Sequence, residues 1–166
     1  MIIMGIDPGI AIVGYGVLEY KSNRFSVIDY GAVTTKAGEK LSDRLRDIYE
    51  SINILIERFS PDAFAIEELF FNTNVKTAIT VAHGRGVAML AASSQNLPIF
   101  EYTPLQVKQA VSGYGRADKQ QIQRMVKSLL CLESVPKPDD VADALAVAIC
   151  HAHTAKYSRM IKDEGV

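Results

Sequence analysis

Residues 2–20, IIMGIDPGIAIVGYGVLEY, decide how this chain folds. Ile2, Ile3, Met4 and Ile6 form a short apolar run and Pro8-Gly9 signals a turn, so Asp7 stands at the exit of a first strand. A second strand begins near Ile12. Val13, Tyr15 and Val17 alternate there with Gly14 and Gly16, and the glycines leave bare surface for the close approach of another backbone or a ligand. The product is a hairpin with a carboxylate at its first corner. An Asp before Pro-Gly often only starts the turn by accepting from a backbone amide, and taken alone Asp7 fits that role equally well.

Working outward, RFSVIDYGAVTT (24–35) alternates Phe25, Val27, Asp29, Gly31 and Val33 and reads as a third strand joined without a crossover. Leu41, Leu45, Ile48, Ile52, Leu55 and Phe59 then recur at helical spacing, and Pro61 ends the helix. DAFAIEEL (62–69) is apolar until it reaches Glu67-Glu68, the pattern of a central strand buried on both faces and parallel to its neighbours. A helix of about Val75–Gln95 leads to the strand PIFEYTP (98–104), and helices follow over Leu105–Val111, Lys119–Leu130 and Asp139–Lys156. The expected α/β architecture is a mixed five-stranded sheet, three antiparallel strands followed by parallel ones, flanked by helices. One domain is expected over 1–156, with a flexible C-terminal tail over 157–166.

Composition narrows the class. With 48% hydrophobic and 22% charged residues the 166-residue chain is of globular type. Asp7 interrupts the first apolar run and spoils a leader pattern, and Gly86–Phe100 is too short and polar to span a bilayer, so a cytoplasmic protein with no membrane contact is expected. Cys131 and Cys150 sit in apolar helical patterns without metal-ligand spacing and are expected to be buried thiols. A net charge of −1 argues against a uniformly basic surface, yet Pro104–Cys131 carries Lys108, Arg116, Lys119, Arg124 and Lys127 against the single acid Asp118. That segment suits a phosphate-bearing partner, or a solvated helix face.

Asp7 and Glu67 both occupy carboxyl ends of strands, where open sheets with crossover helices bind ligands. In PKPDDVADALAVAICHA (136–152), Asp140 and Asp143 share a helix face, and Ala142, Ala144, Ala146 and Ala148 let that helix lie close on a sheet. Four carboxylates therefore converge, and their repulsion calls for cations. Oxygen-only ligands suit Mg²⁺ or Mn²⁺ rather than zinc, and a two-ion site is a device for phosphodiester hydrolysis. Spacing does not separate Asp140 from Asp139, because three- and four-residue steps to Asp143 both fit one face; Glu68 likewise stands beside Glu67. Capping and dipole complementation account for one or two acids at this helix start without any metal.

Taken in order, GIDPGIAIVGYGV (5–17), AIEELFF (65–71), HGRGVAMLAA (83–92), QVKQAVSGYGRADKQQIQRMV (106–126) and DVADALAVAICHAH (140–153) resemble the RuvC family of bacterial Holliday junction endonucleases, over essentially the whole chain up to Lys156. The resemblance implies an RNase H-like fold and a homodimer acting on four-way junction DNA in recombination and repair, with RuvA and RuvB as partners. It makes Asp7, Glu67, Asp140 and Asp143 the catalytic, metal-binding acids, with two Mg²⁺ per site and Mn²⁺ able to substitute. Lys108 and Lys119 match basic residues near the scissile backbone, Lys119 with a catalytic part, and Phe70 matches an aromatic facing the junction centre. Arg116 and Asn72 join the DNA-binding set, Asn72 being equally able to cap the next helix. The helix around Val81, Val87, Met89 and Leu90 carries more apolar residues than one core face needs, as a dimer surface would.

Other functions use some of the same residues. Sugar kinases and actin-like ATPases also carry an Asp in a glycine-rich hairpin, but they need two such domains around the nucleotide. A noncatalytic junction-binding module would keep the basic surface without needing four acids, and another RNase H-like nuclease would differ only in the nucleic-acid shape it grips.

Overall fold

The computed structural model describes residues 1–69 and 75–163, with side chains described at 1–69 and 78–155. Phe70 and Asn72, two of the expected DNA-binding residues, lie outside the described residues. The hairpin forms as its sequence indicates, β1 (Ile2–Asp7) against β2 (Ile12–Lys21), and β3 (Arg24–Thr34) completes an antiparallel meander. Helix α1 (Leu41–Phe59) crosses over to β4 (Ala63–Glu67), which lies parallel to β1, and α2 (Val75–Ser94) leads to β5 (Ile99–Tyr102), parallel to β4. Helices α3 (Pro104–Ser112), α4 (Lys119–Leu129) and α5 (Asp139–Asp163) follow. The sheet order is β3-β2-β1-β4-β5, which puts β1 and β4 side by side.

Alternation along these two strands sorts side chains into two cores. Met4 and Ile6 of β1 and Phe64 and Ile66 of β4 face α1 and α2, packing on Ile48, Ile52, Ala88 and Ala91. Ile3 and Ala65 face the other layer, where α5 is covered in turn by Val107 and Val111 of α3 and Ile122 and Val126 of α4. Helix α5 is thus buried on nearly every side from Val141 to Ala152, with Asp143 the exception. Fully burying each such aliphatic side chain contributes about 1.5–3 kcal/mol.

Helix α5 lies so close to the sheet that Gly5 and Gly14 have room for no side chain. A Cβ at Gly5 would stand 2.2 Å from the Ala144 carbonyl oxygen, and one at Gly14 would stand 2.0 Å from that of Asp140. The bare surface read from the hairpin is occupied by backbone at Gly14 and by the Leu145 side chain at Gly16, both from the helix whose alanines were read as its close-packing face.

Three expectations need correction. Helix α5 continues to Asp163, past the expected end at Lys156, so part of the expected tail is helical. Cys131 is exposed rather than buried, because α4 ends at Leu129 and Cys131 adopts a left-handed φ of 52° beyond it; Cys150 is buried. On α2, Val87 and Met89 pack against the α1 side of the core, leaving Leu90, together with Ile79, as its exposed large apolar residues among the described ones.

Candidate active site

The same alternation that builds the two cores aims the acids. Ile3, Gly5 and Asp7 share one face of β1, and Ala63, Ala65 and Glu67 share that face of β4, so both carboxylates emerge on the α5 side. Asp7 pairs in register with Gly14, the residue pressed against Asp140 at the start of α5. Close packing of the glycines therefore brings the first turn of α5, with Asp140 and Asp143, onto the strand ends that carry Asp7 and Glu67.

Electrostatics show how near these groups are. Burial, followed by the charges of Asp143, Glu67 and Asp140, pushes the Asp7 carboxyl up to about 8, with Lys119 opposing. Burial and Asp143 push Glu67 up to about 7 against the pull of Lys108 and Lys119. Asp143 is also raised, mainly by burial, although the Lys119 ammonium 3.1 Å away favours its charged form. For Lys119, burial works against the charge, but the hydrogen bond and charge of Asp143, then Asp139, outweigh it and hold the ammonium above its usual range.

Local sequence explains how the two lysines reach the site. Thr103 and Gln106 form a capping box at the start of α3, and Asp118 and Gln121 form another at the start of α4. The single acid of the basic segment is thus a cap: Asp118 accepts from the Gln121 amide at 2.8 Å and starts α4 at Lys119. A cation at a helix N-terminus opposes the helix dipole, and the carboxylates of Asp143 and, at 3.6 Å, Asp139 offset this.

Asp139 and Asp140, indistinguishable by spacing, are separated by their partners. Asp139 receives a 2.6 Å hydrogen bond from Lys137, which first of all lowers its carboxyl below the ordinary range, whereas Asp140 contributes to the raised value at Asp7. Glu68 donates its backbone N–H to Tyr102 and so continues the pairing with β5. Arg116 is exposed between α3 and α4, outside the walls of the two cavities at the acids.

The acids sit between those cavities. One, of about 440 Å³, is lined by Asp7, Asp140, Arg44 and Thr80 among others; the second, of about 240 Å³, is lined by Glu67, Asp143, Lys108 and Lys119 with apolar neighbours. A larger recess of about 590 Å³ lies at the other end of β4, beside Asp62 and Ala63, away from the acids. There His151, buried against Phe100, lies 2.8 Å from the Tyr102 hydroxyl, and burial lowers its imidazole to about 4, so it stays neutral.

The four acids supply only hard oxygen donors, which fit Mg²⁺ or Mn²⁺. Among the described residues, no three acidic, His or Cys side chains are already closed into a set that could hold an ion. Two interactions account for this: Asp143 is engaged by Lys119, and uncompensated carboxylates repel.

Two contributions went unread in the sequence. Arg85, inside the quoted HGRG motif, donates from Nε to the Glu67 carbonyl at 3.0 Å and pairs with Glu101, bracing the exit of β4. Half-buried Arg44 reaches the Asp7 cavity from α1, and no local pattern distinguishes it from other polar positions on that helix.

Sheet order and acid placement together define the class, an RNase H-like α/β domain with its acids at the carboxyl ends of adjacent central strands. The family model for the crossover junction endodeoxyribonuclease RuvC matches residues 3–151. The chain belongs to the RuvC family. It is 64% identical over 162 residues to the crossover junction endodeoxyribonuclease RuvC of Alkaliphilus oremlandii, covering 98% of this chain and 99% of that one. Among solved structures, Thermus thermophilus RuvC superimposes with a TM-score of 0.87 at 35% identity, covering 95% of this chain and 97% of the other. The same protein in complex with Holliday junction substrate gives 0.86 at 33% identity over 95% and 96%.

Proposed function

We propose that this protein is a metal-dependent crossover junction endodeoxyribonuclease that resolves Holliday junctions by paired, symmetric nicks. One observation carries the reading: acids from three separate elements, β1, β4 and the first turn of α5, meet at one end of the sheet with Lys119 among them. A purely structural role for acids would not gather them where burial and mutual repulsion raise Asp7 to about 8. Family membership and the junction complex of the Thermus relative identify the substrate.

Asp7, Glu67, Asp140 and Asp143 would hold the divalent ions, two Mg²⁺ per site with Mn²⁺ as a substitute. Bound there, such ions supply Lewis-acid activation of water and neutralisation of phosphate charge. Hydrolysis adds one water across a P–O bond of the backbone and leaves one phosphate monoester end and one hydroxyl end. Lys119 and Lys108 face the strand from the Glu67 side, where an ammonium can stabilise the charge that develops on the phosphate oxygens. Asp143, now paired with Lys119 at 3.1 Å, would serve as an ion ligand, and the Lys119 ammonium would then be available to the phosphate. Arg116 adds a more distant backbone contact, while Phe70 and Asn72 contact the junction itself. A two-fold homodimer presents two equal sites to a two-fold substrate. RuvA and RuvB are partners by resemblance, and a cytoplasmic location goes with them.

The test pairs an end-labelled four-way junction with a matched linear duplex, each with Mg²⁺ or EDTA, alongside Asp7→Asn. Paired nicks in the junction alone, dependent on Mg²⁺ and lost in Asp7→Asn with binding retained, are the expected result. Equal cutting of the duplex removes junction specificity, and binding without cutting leaves a noncatalytic module.

A further inference from the structure

Arg44 is held in an unusual way for a surface arginine. Its Nε donates to the Thr35 hydroxyl at 2.7 Å, and that hydroxyl donates to the Ile10 carbonyl at 2.6 Å. The Thr35 amide also donates to the Ala11 carbonyl at 3.1 Å. Thr35, just past the end of β3, therefore ties Arg44 to the same turn that carries Asp7, Pro8 and Gly9. Arg44 lines the cavity containing Asp7 and Asp140, where it is the sole cationic residue among the described ones. Its Nε is used by Thr35, and among the described residues no carboxylate lies within ion-pair distance of it. Two terminal nitrogens with four N–H donors are left on this half-buried residue, tethered through Nε at the wall of the cavity.

A guanidinium so tethered matches the geometry of a phosphate, to which it can donate two parallel hydrogen bonds. Lys108 and Lys119 occupy the cavity on the far side of the acids. A strand laid across the acids thus meets cations on both flanks, and the scissile phosphate falls between them. We infer that Arg44, positioned by Thr35, binds a DNA phosphate flanking the scissile one on the Asp7–Asp140 side of the site. This rests on the nuclease reading above. Thr35 is a positioning residue, and its loss frees the fork without removing the charge.

The experiment uses the full-length protein and junctions bearing a single methylphosphonate at each phosphate flanking the cut, with binding measured in EDTA across a salt series. Arg44→Ala lowers the steepness of log K against log salt by about one, as expected for one lost phosphate contact. Arg44→Lys keeps the slope but binds less tightly, and Thr35→Val behaves like Arg44→Lys. At one flanking position the methylphosphonate weakens binding by the wild-type protein and by no more than a trace in Arg44→Ala, so the two losses do not add. A purely structural arginine leaves the salt slope unchanged and gives additive losses at every position; either result overturns the inference. Thermal melts show whether Arg44→Ala is folded, and Arg44→Gln, which keeps most of the length without the charge, carries the same cycle if it is not. Wild-type protein that cuts neither junction nor duplex with Mg²⁺ overturns the nuclease reading itself, which is a separate outcome.

Discussion

Asp7 is ordinarily a group that titrates near 3.8, and in the folded chain burial and three neighbouring acids move it to about 8. Between these limits the folded state holds a proton that the unfolded chain has released. Stability in EDTA therefore falls as pH rises from about 4 to about 8 and is fully lost from this source above that range. Asp7→Asn mimics the protonated acid, so in EDTA at pH 8 it is expected to raise Tm. Each kcal/mol gained moves Tm by about 2–4 °C in a domain of this size. The same substitution abolishes cleavage, and a calorimetric pH series beside a nicking assay checks both. Asp140 and Asp139 make a second comparison: Asp140→Asn is expected to remove Mg²⁺-dependent cleavage, whereas Asp139→Asn leaves it measurable, because Asp139 serves Lys137 and Lys119. Single-turnover rates of the two variants decide this. At this scale Asp7 and Glu67 were legible because each ends an apolar run. The choice between Asp139 and Asp140 was not, since both fit one helix face and only the fold brings Lys137 and Lys119 to one of them. Arg44 was beyond reach for the same reason, its partner Thr35 and the Ile10 carbonyl coming from other elements.

Among the elements, α5 and the hairpin that receives it set the position of the site. Gly14 and Gly16 of β2 and the alanines of α5 announced a close contact in the sequence, and the Gly14–Asp140 approach is that contact. Gly14→Ala places a methyl group 2.0 Å from a backbone oxygen, so the helix start must shift. A loss of about 1–3 kcal/mol or more is expected, together with weakened Mg²⁺ binding, read by denaturant melts and by isothermal titration. Gly86→Ala is the contrasting case: a Cβ there meets nothing within 4 Å, and in a helix the change is expected to stabilise by up to about 1 kcal/mol. Helix existence and order followed from periodicity, but the end of α5 and the exposure of Cys131 did not. Boundaries depend on caps and on the backbone beyond them, and apolar spacing says little about either.

For the whole molecule, paired nicking asks for two sites in one assembly. Among the described residues of α2, Leu90 and Ile79 are the exposed large apolar ones, and the proposed homodimer would cover them. Leu90→Asp is expected to shift the protein toward monomer in sedimentation equilibrium and to turn paired nicks on a junction into single, uncoupled ones, while nicking at each site survives. A monomeric wild-type protein at micromolar concentration and on junction DNA would remove the homodimer. Among the described residues the acids are divided between two cavities, Asp7 and Asp140 in one and Glu67 and Asp143 in the other, which bears on how a polymer reaches them. A pit admits only what can be pushed in end first, and so favours a chain terminus. A saddle open on both sides can receive the middle of an unbroken strand, which is draped across it and leaves on either side. Covalently closed DNA, with no end to offer, is thus as accessible to this site as a linear fragment.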